Sequence, residues 1–249
     1  VSGGIKGMSE EKLFLGIDVS EFQGEIDWAA VAKSGVQFVM IRATHGQKID
    51  AMFQKHIEGA IEAGLEIGVY HCSYAKTPED VEKDAELFLD TIEPYRKYIT
   101  YPVAFDAEQE SQFRLGKEAV TNLILAFCRA VVAAGYEPVN YSNCNWLNNV
   151  IDKEALEEEG IDTWVSWPRA VRGFDPLPED KVTKHPHTMW QFSCIGLVSG
   201  VQQNVDLDVC YVDYAAAAKQ RYNDRNGVIS LRDLIAELTS RGIGTIVLE

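Results

Sequence analysis

The stretch YPVAFDAEQES (101–111) is a short apolar run that ends in two carboxylates, Asp106 and Glu108. Alternate residues of a strand share a face, so strand geometry sets these acids side by side with Cα atoms roughly 6.5–7 Å apart. Carboxyls crowded in this way cannot all ionise freely. One of them keeps a proton towards neutral pH, which is what a general acid requires. The same oxygens could instead hold a hard divalent cation, with Asp18, Asp106, Glu108 and Asp208 as donors. No histidine pair stands at ligand spacing, which argues against zinc. The expectation is a site with no metal and no cofactor.

Other runs carry a matching signature. Asp18 follows Gly16, Tyr70 follows Gly68 and Asp106 follows Ala104, each two positions on, while Leu15, Ile17, Ile67, Val69, Val103 and Phe105 make the opposite faces apolar. Small residues filling a crowded layer below longer polar groups are what the mouth of a closed barrel needs. Arg42 and Tyr141 fall at corresponding heights on their strands, and one of Asp206 and Asp208 joins the group from the last strand. A single carboxylate at a strand end is most often the solvated start of a loop. The pair after an apolar run, with Asp18 in register, favours function. His71 lies on the apolar face and reads as a satisfied core histidine, whereas Trp164, Trp167 and Trp190 read equally well as core or as sugar platform.

These groups need elements to position them. Strand-like runs alternate with helical patterns. LFLGIDVS (13–20) precedes IDWAAVAKSG, QFVMIRAT (37–44) precedes DAMFQKHIEGAIEAG, and LEIGVYHCS (65–73) precedes TPEDVEKDAELFLDTI. YPVAFDAE (101–108) precedes KEAVTNLILAFCRAVVAAG, and EPVNYSN (137–143) precedes KEALEEEG. Thr77 with Asp80 reads as a capping box, with Pro78 in the first helical position. DTWVSW (162–167), TMWQFS (188–193) and VDLDVC (205–210) follow with loops between them. Eight strands with this alternation predict a parallel sheet closed into an α/β barrel.

The chain of 249 residues, 46% hydrophobic, suffices for one large domain. Its net charge of −15 excludes the basic footprint of a nucleic-acid binder. Five cysteines (Cys72, Cys128, Cys144, Cys194 and Cys210) show no metal spacing and predict free thiols rather than a disulfide framework. No apolar run reaches the ~20 residues of a membrane span. The opening VSGGIKGMSEEK lacks a signal-peptide core and reads as an expression scar, or a disordered terminus, over residues 1–12. Residues 13–214 are expected to form the barrel. In 215–249, Leu231, Leu234, Ile235 and Leu238 share a helical stripe and GTIVLE is strand-like; this extension either docks on the barrel or begins a further module. A monomer is expected.

The ordered segments DVSEFQGEIDW (18–28), FVMIRATHG (38–46), AGLEIGVYH (63–71), PVAFDAE (102–108), AGYEPVNYSN (134–143), MWQFS (189–193) and VDLDV (205–209) resemble the glycoside hydrolase family 25 lysozymes. The likeness runs from about Leu13 to Tyr214. It implies an irregular, TIM-like (β/α)5(β)3 barrel as a single domain, and hydrolysis of the β-1,4 bond between N-acetylmuramic acid and N-acetylglucosamine in bacterial peptidoglycan, outside the cell. By motif, Glu108 matches the general acid, Asp106 its carboxylate partner and Asp18 the acid ending the first strand. Asp206, Tyr70, Tyr141, Arg42, Gln191 and Trp190 complete the substrate-binding set. His45, the cysteine of YHCS and the segment TWVSWPRA depart from the usual pattern at the periphery of the site.

Glycoside cleavage needs a proton on the leaving oxygen and support for an oxocarbenium-like centre. Asp106 and Asp18 are expected to keep Glu108 protonated, and the D-x-E arrangement favours attack by the substrate's own acetamido group. A chitinase-like glycosidase and a non-catalytic peptidoglycan-binding module on the same barrel are the alternatives.

Overall fold

A computed structural model of the chain describes residues 13–182 and 185–225. The expectations for residues 1–12, and for the helical stripe and strand after 225, lie outside the described residues. The strands are β1 (Phe14–Val19), β2 (Phe38–His45), β3 (Lys48–Ile49), β4 (Glu66–Cys72), β5 (Ile99–Asp106), β6 (Pro138–Asn143), β7 (Asp162–Ser166), β8 (Met189–Gly196) and β9 (Val205–Cys210). Among them run helices α1 (Trp28–Lys33), α2 (Phe53–Glu62), α3 (Pro78–Ile92), α4 (Glu110–Phe113), α5 (Lys117–Ala133), α6 (Cys144–Asn149) and α7 (Lys153–Glu158). One compact unit ends at Asp213, and a second begins with helix α8 (Tyr214–Arg225).

The sheet closes into a ring in the order β1-β2-β4-β5-β6-β7-β8-β9, with the two-residue β3 attached to the end of β2. Helices follow each of the first five barrel strands, and among the described residues none separates β7, β8 and β9. The fold is therefore the (β/α)5(β)3 barrel. It departs from the parallel expectation at β9, which runs antiparallel to both β8 and β1. The connection over 197–204 contains no helix, and a short link without a crossover can join only antiparallel neighbours. Gly200, at φ +96°, lets this link pass close to the start of α1, where Asp27 N donates to Gly200 O at 2.9 Å.

Alternation along the strands divides the apolar residues into two layers. Ile17, Val39, Ile41, Ile67, Val69, Val103, Phe105 and Val165 face outward and are covered by Val31, Ile57, Phe88, Ile124 and Phe127 of the helices. Each such side chain contributes ~1.5–3 kcal/mol through burial. The other face fills the barrel. Phe38 and Met40 project inward from β2, and Gly16 and Gly68 leave room for them: a Cβ at Gly16 would lie 2.2 Å from the Phe38 ring, and one at Gly68 would lie 2.3 Å from Met40 Sδ. The small–x–polar signature is thus a floor of interlocked small and large residues, with the polar positions one step above it.

His71 is a satisfied core histidine. Its Nδ1 lies 2.7 Å from Thr44 Oγ1, its Nε2 lies 2.9 Å from Asp84 Oδ2, and its ring stacks on Phe127. The Thr77–Asp80 capping box starts α3 as its sequence predicts. All five cysteines are free.

Candidate active site

The C-terminal ends of the parallel strands surround a cavity of about 220 Å³ lined by Asp18, Ser20, Phe22, Gln23, Arg42, Tyr70, Asp106, Glu108, Tyr141, Trp164, Gln191 and Asp206. Every sequence-predicted site residue except Trp190 is in this wall. Trp190 precedes Gln191 on β8 and so faces the opposite side. It is 1% exposed, packs in the outer core against Phe192, and donates its indole N–H to Trp167 O. Trp164 supplies the aromatic wall instead, with Tyr70 and Tyr141 edge-on to it at centroid distances of 6.3 and 4.6 Å.

Asp106 ends β5 and Glu108 follows at the mouth, open to solvent. Burial, reinforced by the Glu108 charge, pushes Asp106 up to about 8, although the Cys72 thiol and Arg42 pull the other way. Cys72 faces Asp106 in the β4–β5 register, and its own thiol is pushed up to about 12, chiefly by burial. Burial also raises Glu108, against a 2.9 Å bond donated by Asn143 Nδ2. Asn143 Oδ1 simultaneously accepts from Asn145 N and Trp146 N, capping α6. One residue therefore fixes a helix start and the Glu108 carboxyl together. Sequence reading missed both Asn143 and α6; an Asn at the end of EPVNYSN was the available signal.

Asp18 belongs to a second acid group. It pairs with Asp206 across β1–β9, while Asp208 pairs with Gly16 one step deeper. The antiparallel course of β9 thus places Asp206 in the cavity wall and Asp208 beneath it. Asp208 is 0% exposed and accepts from Trp164 Nε1 at 2.9 Å. Burial, then the charges of Asp206 and Asp208, raise Asp18 well above the carboxylate range. Burial and Asp206 do the same to Asp208. Asp206 is pushed up to about 6 by burial, with the Glu108 charge adding to this and a bond with Asp18 opposing it. Asp18 has its acid partners on β9, across the adjoining seam, and Asp206, which feels the Glu108 charge, links the two groups.

Gln191 joins the groups. Its Nε2 donates to Asp18 Oδ2 at 2.8 Å, and its Oε1 accepts from Tyr141 OH at 2.9 Å and Ser166 Oγ at 2.7 Å. Arg42 lines the cavity with its guanidinium already held by Asp50 at 2.7 Å and Glu21 at 3.0 Å. Through Glu21 it braces the turn 20–23, which a Ser20–Gln23 capping box also fixes. Phe22 of that turn sits beneath the Arg42 cation at 5.1 Å.

A wall of paired acids, tyrosines and a tryptophan at the open end of a barrel suits acid–base chemistry on a polar, ring-shaped substrate. Comparison with known proteins agrees. The chain is 28% identical over 196 residues to the autolytic lysozyme of Clostridium acetobutylicum, a match spanning 78% of this chain and 54% of that protein. It is 28% identical over 203 residues to lysozyme M1 of Streptomyces globisporus, spanning 77% of this chain and 65% of that one. The chain thus covers between about half and two thirds of these relatives' length. In fold it is similar to a family 25 glycosyl hydrolase from Bacillus anthracis, with a TM-score of 0.65 and 22% identity over 86% of this chain and 95% of that one. Residues 17–201 match the glycosyl hydrolases family 25, and the chain belongs to that family.

Proposed function

We propose that this chain is a lysozyme that cleaves the β-1,4 bond between N-acetylmuramic acid and N-acetylglucosamine in bacterial peptidoglycan, acting on the wall outside the cell. The observation that carries this reading is the Asp106–Glu108 pair, one acid deep and one at the mouth, in a family 25 barrel. The names of the relatives, an autolytic lysozyme and lysozyme M1, support the substrate. Glu108, open to solvent and steered by Asn143, donates the proton to the leaving oxygen.

Asp106 receives the substrate acetamido N–H in this reading, which is supported by its buried Oδ1 having no hydrogen-bond partner among the described residues. An N–H donated to Asp106 favours its charged form. The proton that the pair retains then moves to Glu108, where it is needed. The acetamido oxygen attacks the anomeric carbon as the glycosidic bond breaks, and water opens the resulting ring with Glu108 as base. Two displacements at one carbon retain configuration.

Mass spectrometry of the sugar ends released from purified peptidoglycan tests the bond. Reducing N-acetylmuramic acid ends are expected. Reducing N-acetylglucosamine ends, or walls left uncut in a turbidity assay, would refute the reading. Proton NMR of fresh ends tests the mechanism, and inverted product would eliminate acetamido attack.

A further inference from the structure

The segment that follows β7, Trp167-Pro168-Arg169, is fixed to the barrel although it belongs to no strand. Trp167 N donates to Gln191 O at 3.1 Å, Arg169 N to Phe192 O at 2.5 Å, and Trp190 Nε1 to Trp167 O at 3.1 Å. The residue before it, Ser166, bonds the Gln191 side chain in the cavity wall. The indole of Trp167 is 38% exposed, and the Arg169 guanidinium lies over it, 5.0 Å from the ring centroid. That cation has no ion-pair partner among the described residues. Arg42, the cation of the cavity wall, is by contrast occupied by Asp50 and Glu21.

In the eight-strand ring β7 stands across from β2. Phe22, 67% exposed, lines the cavity beside Arg42 of β2, and Trp167 follows the C-terminal end of β7 on the opposite side of the ring, outside the cavity lining. A linear glycan long enough to run from the cavity over the β7 side of the rim would reach the exposed indole. An indole offers a flat apolar face to the C–H side of a sugar ring. The guanidinium lies over one face of the indole and leaves the other for the sugar, and it adds selectivity for an anion in a chain whose net charge of −15 otherwise repels anions.

We propose that Trp167 and Arg169 form a substrate subsite that stacks a sugar ring on the indole and pairs the guanidinium with a carboxylate on the muramyl side arm. This rests on the peptidoglycan reading above. The carboxylate is either that of the peptide stem or, where the stem is missing, that of the lactyl ether. The subsite selects muramyl glycan over an uncharged N-acetylglucosamine polymer.

The test compares wild type, Arg169→Gln and Trp167→Ala on soluble muramyl glycan strands with and without peptide stems, with a chitooligosaccharide as competitor. Arg169→Gln should raise KM on muramyl strands about fivefold, as for a partly exposed ion pair. It should leave kcat and the inhibition constant of the chitooligosaccharide unchanged. Trp167→Ala should weaken all three ligands. A KM rise on stem-bearing strands alone assigns the stem carboxylate, and a rise on both assigns the lactyl carboxylate. An unchanged KM, or an equal weakening of the uncharged competitor in Arg169→Gln, overturns the subsite. Wild type that fails to cut either strand would overturn the peptidoglycan reading instead.

Discussion

Asp106 and Glu108 differ by two positions in the chain and by much more in environment, and their substitutions should separate. Glu108→Gln removes the donated proton and should lower kcat by ~10²–10⁴-fold with the fold intact. Asp106→Asn should also lower kcat but leave KM nearly unchanged, because the charge it stabilises exists only in the transition state. Steady-state kinetics on soluble strands checks both, and a Glu108→Gln variant with half its activity would remove Glu108 from the role. Asp18→Asn discriminates between the acid groups. Burial, then the Asp206 and Asp208 charges, hold Asp18 well above the carboxylate range, so an Asn in its place removes little charge: the variant should lose activity while the upper limb of the pH–kcat/KM profile stays in place. A downward shift of that limb would show that Asp18 is charged in the working enzyme and supports the proton on the D-x-E pair.

The floor of the barrel is where single atoms decide the packing of whole strands. A Cβ at Gly68 would come within 2.3 Å of Met40 Sδ and 2.8 Å of Pro102 O. The thioether can turn aside, but the backbone carbonyl of β5 cannot without moving the strand that carries Asp106. Gly68→Ala should therefore cost about 1–3 kcal/mol, read from denaturant unfolding, and should lower kcat as well. The same substitution at Gly173, which has nothing within 4 Å of a Cβ, provides the control.

At the scale of the whole molecule, the acid clusters link stability to pH. Unfolded, Asp106 loses its proton near 3.8; folded, it holds it to about 8. Between those values the folded state binds more protons, so stability falls as pH rises through the window and is fullest below it. Asp18, Glu108, Asp206 and Asp208, all raised by burial, act in the same sense. His56 opposes them, since burial lowers its pKa, but it is one base against five acids. The carboxylates with lowered values, Glu25, Asp80, Glu93, Glu159 and Asp180, act below their ordinary values of 3.8–4.5. The melting temperature should accordingly be higher at about pH 5 than at about pH 8. Asp106→Asn should flatten that slope and stabilise the protein at the alkaline end. A melting temperature that rises over this range would contradict the burial of these acids.

What the sequence determined by itself follows from short periods. Alternation at two residues made the barrel strands legible, put Asp106 with Glu108 and Asp18 above Gly16, and placed His71 on the covered face. The capping box at Thr77 and the thinning of helices between residues 160 and 210 were readable for the same reason, because each is a local pattern. Applied to β8, that alternation already separates Trp190 from Gln191, although both stand in the segment MWQFS that carries the family likeness. Tertiary structure alone decided what depends on closure. β9 lies next to β1 only because the ring shuts, and its reversed direction selects Asp206 for the cavity and sinks Asp208 below it. Asn143 reaches Glu108 only because β5 and β6 are neighbours, although 35 positions separate the two residues. Charge coupling falls off with distance in space, and a chain position carries that distance only within one element.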